Sequence, residues 1–209
     1  MDALIWGASG GIGSALVTAL KQENWRVFAA GRNQQHIPSE ADYRLRFDAD
    51  DIHTLREVSY TVATESGGID LMVYAAGSLR SGMLQEFSLA DWLLVMSGNV
   101  TGAFLAASHS LGVMQPHGHM MFIGAYVEHL ILPKMGAYAV AKAAIEPLVA
   151  VLRKENRKMR FTIVRPGAVD TDLWNNAPFR KPANAKTPQS VALAILNHHQ
   201  SGEAGDLNL

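Results

Sequence analysis

A tyrosine and a lysine four residues apart, in Gly136-Ala-Tyr138-Ala-Val-Ala-Lys142, are the side chains best suited to moving a proton. Four residues is about one helical turn, so both lie on one helix face. An ammonium beside a phenol favours the phenolate and lowers a pKa that is ordinarily about 10. A phenol tuned in that way can exchange a proton with an alcohol or carbonyl oxygen near neutral pH. Near the start of the chain, Gly7-Ala8-Ser9-Gly10-Gly11-Ile12-Gly13 follows a short apolar run and leads into a helical pattern. Small residues let a backbone approach a pyrophosphate, and a helix N-terminus offers unpaired N–H groups and positive potential. A dinucleotide-binding turn together with a proton-moving phenol points to hydride-transfer chemistry.

The elements that must position these residues alternate between strand and helix. Short apolar strands are predicted at 3–6, 26–30, 43–47, 69–75, 119–123 and 160–164, with an edge strand at 205–209. Helices are predicted at 11–23, with Ile12, Leu16 and Leu20 on one stripe, and at 51–65, with Ile52, Leu55, Val58 and Val62 at helical spacing. Further helices are expected over 100–113, from Tyr138 to about Asn156, and from Thr187-Pro188 to about His199. This alternation implies βαβ units and a single α/β domain over 1–209. Its expected form is a Rossmann-type, doubly wound parallel sheet of about seven strands with helices on both faces. The irregular stretch 172–186 is read as a substrate lid.

The end of the second strand bears on the choice of coenzyme. An acidic residue there would accept hydrogen bonds from the ribose 2′-OH of NAD, but the chain reads Ala29-Ala30-Gly31-Arg32-Asn33. An arginine with no carboxylate attracts a 2′-phosphate, so NADP is favoured and NAD remains possible.

Together these residues resemble the short-chain dehydrogenase/reductase family across essentially the whole chain. Phe47-Asp48 matches the acidic residue that family members use on the adenine amino group. Ala75-Ala76-Gly77 stands where the family has Asn-Ala-Gly. Asn99-Val-Thr-Gly102 matches the asparagine of the catalytic tetrad, and Pro166-Gly167-Ala-Val169-Asp-Thr171 matches the loop that contacts the nicotinamide end. The resemblance implies Tyr138 as general acid/base and Lys142 as the residue that binds the nicotinamide ribose and tunes the phenol. It implies Asn99 as holder of a water in a relay to that lysine. Coenzyme contacts are implied for Gly7, Ser9, Gly10, Gly11, Ile12, Gly13, Arg32, Asp48, Ala75, Ala76, Gly77, Pro166, Gly167, Val169 and Thr171. A homodimer or homotetramer is also implied.

One expected residue is missing. The family places a serine thirteen residues before the tyrosine, to hydrogen-bond the substrate oxygen; here Phe122-Ile123-Gly124-Ala125-Tyr126 puts Ala125 there. No serine occurs between Ser110 and Ser190, so no shift of register supplies one. Alanine has no side-chain donor, and losing one oriented donor typically costs on the order of 10²–10³ in rate. Three readings stay open. The substrate is an activated carbonyl or quinonoid ring that needs less help; or Tyr126 swings its hydroxyl into the gap rather than packing in its loop; or the protein is a nucleotide-binding regulatory or scaffolding protein with decayed catalysis. Trp174 and Phe179, with Arg180 and Lys181, are candidates for the substrate rim.

Composition narrows the partners. A net charge of −1 offers no electrostatic case for nucleic acid or an anionic membrane. There is no cysteine, hence no disulfide framework, thiolate nucleophile or zinc-thiolate site. His117, His119 and His198-His199 lack a third ligand at useful spacing; they read as surface histidines, and no metal is expected. Arg153, Lys154, Arg157, Lys158 and Arg160 read as a solvated basic face. A cytoplasmic protein acting on a small molecule is the expectation.

Overall fold

The computed structural model describes residues 1–203 and 205–209. Seven parallel strands form one sheet in the order β3-β2-β1-β4-β5-β6-β7. They are β1 (Asp2–Trp6), β2 (Arg26–Gly31), β3 (Tyr43–Arg46), β4 (Ile69–Tyr74), β5 (Met114–Ile123), β6 (Arg160–Arg165) and β7 (Leu207–Asn208). The helices are α1 (Gly11–Gln22), α2 (Ile52–Glu65), α3 (Leu89–Met96), α4 (Gly102–Leu111), α5 (Gly136–Ala143), α6 (Ile145–Glu155) and α7 (Pro188–Ser201). The expected Rossmann-type doubly wound sheet is therefore the observed one.

Central strands are buried on both faces, which is why they read as continuous apolar runs. In β1, Ala3 and Ile5 pack with Leu16 and Leu20 of α1 and with Val191 and Ile195 of α7. Leu4 and Trp6 point to the opposite layer, where Leu55 and Val58 of α2, Ala103 and Ala106 of α4 and Ile145 of α6 cover the sheet. Strand order reverses between β1 and β4, so a crevice opens at their carboxyl ends, where α/β sheets of this kind bind ligands. A Cβ on Gly7 (φ +89°) would lie 2.3 Å from the Ala76 nitrogen, so only glycine lets these two loops meet.

Several boundaries depart from expectation. The helix expected at 100–113 begins earlier, as α3, and continues through a π-turn at Ser97–Thr101 into α4. The helix bearing Tyr138 is broken at Ala144, because Pro147 has no N–H to donate to the Ala143 carbonyl. The strand expected from His119 starts at Met114 and includes Pro116, beside a register shift between β4 and β5.

The histidines are a larger correction. His119 is fully buried, and His198 and His199 are nearly so, because the last turn of α7 folds beneath β5 and β6 at the sheet end opposite the crevice. Thr162 Oγ1 donates to the Gly205 carbonyl at 2.7 Å, so it accepts from His119 Nε2 at 2.8 Å. The basic run is only partly solvated. Arg153 pairs with Asp206 and donates to the Phe161 carbonyl, while Arg160 donates to the His199 carbonyl.

Candidate active site

The glycine turn enters α1 with Gly10 as N-cap; no side chain caps the helix and no acidic residue occupies its first turn. The helix end is left uncapped and electropositive, as a diphosphate requires. A Cβ on Gly13 would lie 2.2 Å from the Gly7 oxygen, and one on Gly11 would lie 2.6 Å from the Thr171 methyl group. The first contact closes helix onto strand; the second brings the loop after β6 over the turn. Pro166 and Val169 are buried and Gly167 takes φ +71°. Ser9 packs on Gly31 at the end of β2, one residue before the exposed Arg32. The Asp48 carboxylate accepts from the Asp50 amide at 3.2 Å. Ala75 and Ala76 are half-buried and Gly77 is exposed at the crevice. The candidate dinucleotide residues thus converge on the switch point, and the uncapped turn fits a pyridine dinucleotide.

Tyr138 and Lys142 lie on the buried face of α5, 8% and 5% exposed. Lys142 Nζ sits 5.6 Å from the centroid of the Tyr138 ring and donates to the Ile123 carbonyl at 2.9 Å. The expected lowering of the phenol pKa is not what this arrangement produces: burial pushes Tyr138 well above its ordinary value. Burial also brings the Lys142 ammonium down to about 8. Desolvation outweighs the attraction between the pair because both groups have left water while the ammonium is held by a carbonyl. The resting phenol therefore keeps its proton, the state required of a general acid.

Asn99 is 1% exposed and sits in the π-turn. Its amide nitrogen donates to the Ser78 carbonyl at 2.7 Å and the Val95 carbonyl at 2.8 Å, leaving Oδ1 buried without a partner among the described residues. A Cβ on Gly77 would lie 3.0 Å from that oxygen and 3.9 Å from Lys142 Nζ. The absence of a side chain at Gly77 thus leaves space between an unsatisfied acceptor and an ammonium, which is what a bridging water needs.

Ala125 follows the Ile123 carbonyl by two residues, and the alternative for the missing hydroxyl fails here. Tyr126 Oη donates to the Leu209 carbonyl at 3.3 Å, and its ring packs 5.5 Å from that of His129. Tyr126 is a packing residue of its loop. On the substrate side, Tyr138 packs with Leu79, Met135, Leu130, Leu173 and Ala177, an apolar lining. Within 172–186, Asp172–Asn176 forms a 3₁₀ turn whose Trp174 donates from Nε1 to the Val169 carbonyl at 2.8 Å. Asp170 and Lys186 bond backbone to backbone at 2.8 Å, so the loop closes on its own stem. Thr171, Trp174, Phe179 and Arg180 line a cleft of about 490 Å³ there, and Lys181 is paired with Asp170 at 2.5 Å. Sequence reasoning missed Tyr74 and Ser78, whose hydroxyls bond the helix around Asn99.

The doubly wound sheet, with a glycine turn at its switch point, is that of a nicotinamide-dependent oxidoreductase of the Rossmann type. Residues 2–181 match the short chain dehydrogenase family model, and the chain belongs to that family. It is 27% identical over 206 residues to an uncharacterised oxidoreductase of Staphylococcus aureus (strain USA300), covering 93% of this chain and 88% of the relative. It is 29% identical over 187 residues to 2,3-dihydro-2,3-dihydroxybenzoate dehydrogenase of Bacillus subtilis (strain 168), covering 83% and 72%. An alcohol dehydrogenase of Thermococcus sibiricus, solved with 5-hydroxy-NADP, superposes with a TM-score of 0.89 at 25% identity, covering 100% of this chain and 95% of that one.

Proposed function

We propose that the protein is an NADP-preferring oxidoreductase whose small carbonyl, alcohol or quinonoid substrate delocalises the charge developing on its oxygen. One observation carries this reading: a buried, protonated Tyr138 grouped with Lys142 beside a position, Ala125, that offers no second side-chain donor. When bound, the coenzyme supplies the hydride. Tyr138 supplies the proton to the substrate oxygen, Lys142 keeps positive charge beside the phenol, and Asn99 holds the water through which the proton is replaced. Two relatives support the substrate and coenzyme assignments. The Bacillus relative is named for a ring diol bearing a carboxylate, and the Thermococcus structure holds an NADP analogue.

A turnover screen with NADPH against quinones, pterins, ring diols and activated ketones tests the proposal. Turnover of a conjugated substrate supports it. Tight NADPH binding with no turnover would select instead a nucleotide-binding regulatory role with decayed catalysis. Installing the missing donor probes the gap: Ala125→Ser is expected to raise kcat on a simple ketone by about 10–10²-fold, with little change on a quinone. Unchanged ketone reduction would contradict this account of the site.

Coenzyme choice rests on Arg32, which is exposed at the end of β2 with no carboxylate on the strand before it. Arg32→Ala is expected to raise the KM for NADPH by about 10–10²-fold, the worth of one charge-assisted bond, and to leave that for NADH unchanged. Equal effects on both coenzymes would remove the basis for an NADP preference.

The helix from Leu89 to Leu111 is long and apolar enough to cross a membrane by length and composition alone. We assign its exposed Leu93 and Phe104, with Val140 and Val151 on α5 and α6, to contact with a second copy of the chain.

A further inference from the structure

We propose that Tyr74 and Ser78 are positioning residues for Asn99: their hydroxyls hold the π-turn in the shape that turns the Asn99 amide oxygen toward Lys142. This rests on the reading of Asn99 as part of a proton relay.

The argument begins with the helix. A π-turn displaces carbonyls from the regular i→i−4 ladder, and a turn of this kind persists only where other donors take them up. Here Gly102 donates to the Ser97 carbonyl, five residues back. Three side chains then serve the inner face of the distorted turn. Tyr74 Oη donates to the Gly98 carbonyl at 2.8 Å, and Ser78 Oγ to the Leu94 carbonyl at 2.7 Å. The Asn99 amide nitrogen donates to the Val95 carbonyl at 2.8 Å, four residues back, which is the bond a backbone N–H would make in a regular helix. Asn99 is thereby turned inward, and its Oδ1 is left over the gap at Gly77.

The helix is shaped to admit these hydroxyls. A Cβ on Gly98 would lie 2.5 Å from Ser78 Oγ, and one on Gly102 would lie 2.2 Å from Tyr74 Oη. Ser97-Gly98-Asn99-Val100-Thr101-Gly102 thus places a glycine opposite each donor. Both donors flank Ala75-Ala76-Gly77, so one loop carries the clamp and the gap. Tyr74 is 2% exposed and its ring lies in the core layer with Phe47. A phenylalanine would fill that layer equally well, so the hydroxyl is what distinguishes tyrosine there.

The first test compares Tyr74→Phe, Ser78→Ala and Asn99→Ala, singly and combined, in steady-state turnover. Each hydroxyl deletion is expected to lower kcat about tenfold, the worth of one hydrogen bond, with KM for NADPH unchanged. Neither should lower kcat further in the Asn99→Ala background, because the effect passes through that residue. Ser78→Thr should restore most of the loss. Losses that add to Asn99→Ala, or wild-type kcat in both single variants, would overturn the inference.

The second test reads hydrogen exchange of the Asn99 side-chain amide in protein selectively labelled with ¹⁵N-asparagine. Exchange should quicken at least tenfold in either hydroxyl variant, and unaltered exchange would also overturn the inference. This measurement needs no turnover. It decides the matter even if the wild-type protein proves inactive, a result that would instead sink the functional reading.

Discussion

Tyr138→Phe is expected to lower turnover by about 10²–10⁴-fold, the usual contribution of a positioned general acid, while NADPH affinity stays unchanged. In the proposed reaction the phenol protonates the substrate oxygen, and burial keeps that proton on it at neutral pH. Phenylalanine preserves the packing against Leu79 and Met135, so a folded, coenzyme-binding protein should remain. The lysine adds a pH signature. Its ammonium, lowered to about 8, is the competent form, so kcat/KM for reduction should fall as pH rises through that value. Calorimetric titration with NADPH alongside stopped-flow turnover separates binding from chemistry. A Tyr138→Phe protein that keeps wild-type kcat would show that another group carries the proton, and a flat pH profile would remove Lys142 from the reaction.

Much of this arrangement was legible in the residues, and the exceptions have physical causes. Apolar runs such as Ile69–Tyr74 announced strands buried on both faces, and the alternation with helical stripes led to the observed sheet. Gly7, Gly11 and Gly13 were readable because close backbone approach at a strand-to-helix turn needs glycine. The start of α3 is hidden in the sequence, because Leu89-Ala-Asp-Trp-Leu-Leu-Val-Met96 is apolar nearly all round and shows no clear stripe. The local signal available was Ser88, whose hydroxyl caps the helix by accepting from the Asp91 amide at 3.0 Å. Pro116 and Gly118 disguised the beginning of β5, where pairing with β4 is irregular.

The site shows the same division. Spacing placed Tyr138 and Lys142 on one face, but the sign of the phenol shift depended on burial, which a four-residue interval does not encode. Tyr126 illustrates a related limit: a hydroxyl adjacent to the gap in sequence turned away to the Leu209 carbonyl, a partner distant along the chain. The roles of Tyr74 and Ser78 were illegible for that reason too, since they depend on which carbonyls a distorted helix presents in space.

Acidification below about pH 6.5 should destabilise the fold, because of the imidazoles beneath the sheet. His119 is fully buried, with Nε2 committed to Thr162 and Nδ1 without a partner among the described residues. Its ring lies 5.5 Å from that of His199, which packs on Trp25 and receives Arg160 at Nδ1. Desolvation first, and then the Arg160 charge, lower His119 to about 2 and His199 to about 4. Asp70 acts the other way on His199, and Glu203 faces His198 at 3.7 Å. The sign follows from linkage: the unfolded chain takes up protons at an ordinary histidine pKa of about 6.5, while the folded chain refuses them until much lower pH. Stability is therefore full above about 6.5 and falls as pH drops toward 4. His199 alone accounts for roughly 3 kcal/mol over that range, equivalent to about 10 °C in melting temperature for a chain of this size. The strain would be felt first in the last turn of α7 and in β7, which the same cluster ties down through Thr162 and the Gly205 carbonyl. Thermal melts at about pH 7.5 and about pH 5 measure the effect. His199→Phe, which keeps an aromatic ring against Trp25 and has no proton to take up, should reduce it by about half, His119 supplying the remainder. A melting temperature that does not move between those two pH values in the unaltered protein would show that the buried imidazoles are protonated as readily as free ones, and that the packing beneath the sheet imposes no penalty on their charge.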